Sequence, residues 1–397
     1  MTSYLIDFAY VMLRWGHAVI GIAWIGHQMM LYALEKHFHP PLKRAENIDE
    51  ELWMAHGGRF LNLKATRMLP NKEIDNLIWF RWGALFTWLT GISLFVVFVL
   101  SWGNQVYINE YEVLNNFPPL LFCMIALFLI WGIYELVWSS AIANTPRLAY
   151  FISVCIFSIY FWWLGHIVNG RVLFIIAGGL FGTIMSSNVW LHIVPNMKKM
   201  INTIKQGKEP DFSLTKKSKN RAFHIRISHF PVLFCMFSAH FSVFTGSENA
   251  PILVVIVVFA AISLRQVVYE GQKANKIFKY ALPISVVSIF AVFYVQSLQS
   301  NVAAKNDQKL VTNQQAFMIV KKNCSVCHSL TPLFDGQEEA PAGIMFDELD
   351  QIHAFSKKIY EQAISSKMMP PGNVTGMTDK ERETLGHWLL QYEKSKK

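Results

Sequence analysis

The chain has 397 residues, of which 53% are hydrophobic, 14% aromatic and only 16% charged, with a formal net charge of +9. That balance excludes an ordinary soluble globular protein of this size. The surplus Lys and Arg fall between apolar runs instead of along one stripe, which excludes a nucleic-acid-binding face and reads as a membrane-topology signal.

A helix needs roughly 20 apolar residues to cross about 30 Å of hydrocarbon, because each backbone polar group must be paired internally there. Runs of that kind begin near Leu5, Trp79, Pro118, Leu148, Val172, Ser228, Pro251 and Phe278. They predict an all-α protein whose residues 1–300 form an eight-span bundle in a lipid bilayer. The first run, Leu5 to Leu34, is too long for a cleaved leader and reads as a retained span. The segment from Glu35 to Asn76 carries Lys36, Lys43, Arg44, Arg59, Lys64, Arg67 and Lys72. The segment from Pro195 to Ile227 is richer still, whereas Ser101 to Phe117 has Glu110 and Glu112 and no Lys or Arg. The bias places the basic loops in the cytoplasm and both termini in the periplasm of a bacterial inner membrane. Asn301 to Asp307 reads as a polar connector, and residues 308–397 as a small periplasmic domain.

In that domain, Cys324-Ser325-Val326-Cys327-His328 is the C-x-x-C-H arrangement in which two thiols add to haem vinyl groups and the histidine ligates iron. One helical turn separates the sulfurs, so the adjacent histidine meets the metal from the same side. A redox dithiol and half of a zinc site are the competing readings, weakened by the lack of a second Cys pair and of a strand-helix-strand setting. The second axial ligand is expected at Met369, where Pro370 and Pro371 prevent a helix and leave the thioether in a loop. Met368 is its rival, with Met345 and Met377 behind. Thr378-Asp379-Lys380-Glu381 is a capping box for a closing helix with Leu385, Trp388 and Leu389 inward. The domain resembles a class I cytochrome c, with one covalent haem c supplying core that a chain this short lacks. Cys123, Cys155 and Cys235 sit alone in apolar runs and read as small hydrophobes.

Ionisable and polar groups inside spans are costly, so each is a functional candidate. The first run holds Arg14, His17 and His27, the third Glu135, the fourth His166, the fifth Asn188 and His192, the sixth His229 and His240, and the seventh Arg265. His17, His166 and His240 fall toward the outer side and could supply a haem b or a quinone site. His27, His192 and His229 fall toward the cytoplasmic side and could line a second polar pocket.

Arg14-Trp15-Gly16-His17, Gly21-Ile22-Ala23-Trp24-Ile25-Gly26, Trp79-Phe80-Arg81-Trp82 and Thr87-Trp88-Leu89-Thr90-Gly91 resemble the membrane-bound, cytochrome c-fused urate oxidases. So do Gly182-Thr183-Ile184-Met185, Asn188-Val189-Trp190, Pro195-Asn196-Met197-Lys198-Lys199 and Pro231-Val232-Leu233-Phe234 with His240. The resemblance implies oxidation of urate, or of a related small reductant, toward 5-hydroxyisourate in the membrane domain. Electrons would leave through haem c to a respiratory cytochrome c or terminal oxidase. It also implies a site for a planar anion, with Arg14, Arg81 and Asn188 as binding candidates and His17 and His240 beside them; arginine suits a planar acceptor edge. The chain departs from the family pattern at Gly83, where an acid follows the tryptophan, and at Ile176, where a histidine is common. His224-Ile225-Arg226 corresponds to a His-Asn-Thr-like stretch. The competing function is an electron-transfer module, passing electrons from quinol or a partner subunit to the haem without urate activity.

Overall fold

A computed structural model describes residues 2–41, 48–66, 76–108, 117–238, 241–247, 249–270, 276–305, 310–334, 339–365, 369–370 and 373–395. The elements in chain order are α1 (Thr2–His37), the strands β1 (Glu50–His56) and β2 (Arg59–Ala65), α2 (Trp82–Trp102), α3 (Pro119–Ser139), α4 (Pro146–Leu164) and α5 (Gly170–Ser187). A π-helical segment, Asn188–Ile193, joins α5 to α6 (Val194–Lys205). There follow α7 (Ser213–Phe237), the short α8 (Ser242–Thr245), α9 (Ala250–Glu270) and α10 (Lys276–Lys305). The C-terminal helices are α11 (Asn313–Asn323), α12 (Leu349–Ala354), α13 (Ser356–Ile359) and α14 (Asp379–Ser395).

Six of these helical segments are long and apolar enough to cross a membrane, among the described residues. They are α1 to α4, the joined α5–π–α6 segment, and α9. The two further spans expected from the sequence correspond to α7, whose first half is studded with Lys, Arg and His, and to α10, whose apolar stretch Tyr280–Val295 is shorter.

The central helix is α5. Its Gly178 lies so close to α7 that an added Cβ would sit 3.0 Å from the Cys235 Cβ, the small-residue contact by which helices approach without a water-driven force between them. On another side the Trp88 indole donates to Thr183 Oγ1 at 3.1 Å and Ser186 Oγ donates to the Ala84 carbonyl at 3.1 Å, tying α2 to α5. Ile176, Leu173, Leu180, Phe174 and their neighbours are fully buried in the apolar core these helices share.

Three expectations are corrected. The protein is not wholly α-helical, because β1 and β2 form an antiparallel hairpin inside the first basic segment. Its turn is Gly57-Gly58, with φ of 59° and 75°, the left-handed pair that a two-residue hairpin requires. The sixth run starts at Ser213, not Ser228, because Arg221 and His224 turn inward and the helix continues through what reads as a basic loop. The stretch from Asn301 to Lys305, read as a connector, continues α10, since Val302-Ala303-Ala304 contains good helix formers and no breaker.

The C-terminal unit has its own core of Val311, Ala316, Val320, Phe346, Ile352, Ile359, Leu385, Trp388 and Leu389, which matches the inward face expected of the closing helix. Its Tyr360–Ser365 turn lies against α8, so it sits at the end of the bundle where α7 finishes and α9 starts. At that end the first residue of α5, Gly170, abuts the Thr245 carbonyl and the Ala250 side chain. Gly170→Ala drives a methyl into backbone that cannot yield, and is expected to cost about 1–3 kcal/mol. A thermal melt of the purified protein at wild-type temperature would show that the junction is looser than this.

Candidate functional site

The strongest concentration of polar chemistry inside the bundle is built from adjacent residues of α3 meeting the π-helical segment and α7. Pro195 has no N–H to return to the Leu191 carbonyl, and the local ladder widens so that the Val194 amide donates to the Val189 carbonyl. This turn presents Asn188, which has no exposed surface, and His192 toward Tyr134 and Glu135 of α3. From α7, Arg221 and His224 project from one face, three residues apart.

Arg221 Nη1 lies 3.1 Å from Glu135 Oε1 and 3.1 Å from Asn188 Oδ1, and its Nη2 donates to the Trp138 carbonyl at 3.3 Å. His192 Nε2 lies 3.0 Å from the other Glu135 oxygen. Asn188 Nδ2 donates to the Tyr134 hydroxyl at 2.9 Å, and that oxygen is 2.5 Å from His224 Nδ1. The side chain of Arg221 is 9% exposed, that of Glu135 17% and that of His192 27%, so the network is open at its His192 end and closed at Arg221. Here are a carboxylate for proton acceptance, a guanidinium fork and an amide for planar acceptor edges, and two imidazoles for proton transfer.

Of the polar span residues expected from the sequence, Glu135, Asn188 and His192 join this network, and of the proposed urate-site residues only Asn188 does. Arg14 is exposed on α1, with its guanidinium 5.4 Å from the Tyr10 ring. His17 binds Thr90 Oγ1 at 3.0 Å between α1 and α2, where Gly91 leaves room for its ring. Arg81 stands among Trp79, Trp82 and Trp190, each ring centroid 5.4 to 5.5 Å away, and its carbonyl accepts from the Trp190 indole. His166 is exposed and bound to its own helix through the Trp162 carbonyl, and no contact joins it to His17 among the described residues. His240 and Met368 lie outside the described residues. His192 goes to Glu135, His27 packs on Phe80 with ring centroids 3.8 Å apart, and His229 is buried in α7. No cluster of three or more His, Cys, Asp or Glu residues could hold a metal, among the described residues.

Sequence reading missed Tyr134, Arg221 and His224 as members of one site. The available signal was the spacing Arg221, His224, Ser228, one helical face, hidden because the same stretch is rich in outward Lys and Arg. The two departures from the family pattern are also explained locally. Gly83 packs under Trp24, with an added Cβ 3.3 Å from that side chain, and Ile176 fills core.

In the C-terminal unit, the amides of Cys327 and His328 both donate to the Cys324 carbonyl, so the motif forms the expected turn. His328 Nδ1 lies 2.8 Å from the Ile344 carbonyl, a bond that leaves Nε2 available to a metal. Burial pushes the Cys324 thiol up to about 12 and also raises Cys327, opposite to the lowered values of a reactive dithiol. The segment after the motif folds back on it through Leu333 and Phe334 amides donating to the Val326 carbonyl, with Leu330 and Leu333 exposed. These residues fit a haem, which would cover that apolar surface. Met377 is packed in the core and is no competitor for the iron, whereas Met369 remains 37% exposed. The backbone of Met369 is fixed on both sides, its amide donating to the Gln362 carbonyl at 2.9 Å and its carbonyl accepting from Arg382 Nη1 at 2.7 Å. Arg382 is 5% exposed and also reaches the Ala363 carbonyl and Asn373 Oδ1. Arg382→Met strands those acceptors and is expected to cost about 2–4 kcal/mol. Faster hydrogen exchange in residues 360–377 would report the loss, and unchanged protection would refute it.

Residues 3–297 match the family model described as urate oxidase N-terminal. No curated protein and no solved structure matches the chain. With most of its length covered by that model, the chain belongs to the urate oxidase N-terminal family.

Proposed function

We propose that this protein is a membrane-embedded, urate oxidase-type oxidoreductase that oxidises urate or a closely related small reductant and passes the electrons to a haem c on its C-terminal unit. The observation that carries the reading is the Glu135–Arg221–His192 network, whose charged groups a mere membrane anchor has no reason to keep inside a bundle. In this reading α7 and α10 complete eight spans, the basic segments face the cytoplasm, and both termini and the cytochrome c domain, residues 308–397, lie in the periplasm.

Urate and water give 5-hydroxyisourate, two protons and two electrons. Arg221 and Asn188 hold Glu135 from the closed side of the network, and Glu135 and His192, at the more open end, each take one of the two protons. Cys324, Cys327, His328 and Met369 would hold a haem c, which would supply one-electron transfer toward a respiratory cytochrome c or oxidase.

Urate added anaerobically to the air-oxidised protein is expected to produce the reduced c-type bands. Glu135→Gln should slow that reduction by about 100-fold or more, while dithionite still reduces the haem fully. Reduction by quinol but not by urate would replace this reading with that of an electron-transfer module. Met369→Ala is expected to abolish the thioether-to-iron absorption band of the oxidised protein, and a surviving band would move the axial ligand to Met368.

A further inference from the structure

Among the described residues of the C-terminal unit, Arg382 is the one buried charge, 5% exposed in the first turn of α14. All its hydrogen bonds go to neutral oxygens: Nη1 donates to the Ala363 and Met369 carbonyls, and Nη2 to Asn373 Oδ1. The acids beside it on the helix do not pair with it among the described residues. Glu381 is engaged by Lys322 Nζ at 2.8 Å, and Asp379 acts on Arg382 through space. A guanidinium stays protonated at any working pH, so this is a permanent positive charge in a poorly solvated place.

The two segments that would hold the iron meet at this charge. Thr375 Oγ1 donates to Asn323 Oδ1 at 3.1 Å, tying the loop after Met369 to the residue before Cys324. Arg382 grips the Met369 carbonyl at 2.7 Å. It also stands near enough to Cys324 for its charge to oppose the larger effect of burial, which raises that thiol's pKa. Haem iron carries one more positive charge when oxidised than when reduced. A fixed cation in a low-dielectric setting therefore penalises the oxidised form and raises the reduction potential. A cation on the surface would be screened by water and salt.

We propose that Arg382 holds the reduction potential of the haem high through its buried, unpaired charge, which favours electron flow from the membrane domain onto the haem. The inference rests on the haem c reading of the C-terminal unit.

The test is a potentiometric titration of the haem bands in purified full-length protein, after haem staining on a denaturing gel has shown the group to be covalent. Asn373→Asp keeps an acceptor for Nη2 and brings a neutralising carboxylate to it. It is expected to shift the equilibrium at least tenfold toward the oxidised form, a fall of about 59 mV, with the thioether-to-iron band retained. Asn373→Gly suits the φ of 45° at that position, adds no charge and should shift it less than twofold. Arg382→Lys, which keeps the charge and loses hydrogen bonds, should shift it less than threefold. Equal potentials in Asn373→Asp and Asn373→Gly overturn the proposal. So does a fall in Arg382→Lys as large as that in Asn373→Asp, or a fall that comes with loss of the thioether band. Absence of covalent haem overturns the haem reading itself and this inference with it.

Discussion

A guanidinium and a carboxylate 3.1 Å apart within a bundle of apolar helices set the terms for everything near them. Charges taken out of water are tolerated only when their remaining donors and acceptors are also met. Arg221 meets that condition by engaging Glu135, Asn188, Tyr134 and the Trp138 carbonyl at once, and Glu135 by also engaging His192. Three segments distant in sequence are therefore locked to one another. Loss of either charge would leave the other buried and uncompensated, which is why this pair organises both the packing of α3 against α7 and any chemistry done there.

The widened turn at Asn188–Ile193 is what lets one segment serve two neighbours. A regular helix would pass straight into α6, and Pro195 denies it the bond that would keep it regular. The result pairs Asn188 with Tyr134 and His192 with Glu135, so consecutive residues of α3 are each matched from the same turn. The network runs from a partly open end at His192 to a closed end at His224, and that polarity is the property a proton route requires.

The C-terminal unit solves a different problem. It is short, and much of its apolar surface near the Cys324–His328 turn is left outside its own core. Arg382 compensates on the opposite loop, where it holds backbone carbonyls that no helix or strand would pair. A buried cation here stabilises a loop conformation and not a charge partner, which frees Met369 to present its side chain.

The sequence by itself determined the membrane character, most of the helix runs, the C-x-x-C-H motif and the family, because hydropathy over a span and a fixed residue spacing are local properties. It also determined that Glu135, Asn188 and His192 are costly where they stand. Only the tertiary structure decided which of the many polar residues meet. Arg221 reads as one more loop cation until α7 is seen to begin at Ser213, and only the structure places Arg14 and Arg81 beside aromatic rings and His17 against Thr90. The hairpin β1–β2 was legible in its Gly57-Gly58 turn but was obscured by the basic residues around it. Burial and pairing across helices depend on rotation and register between elements, and no periodicity within one element encodes them.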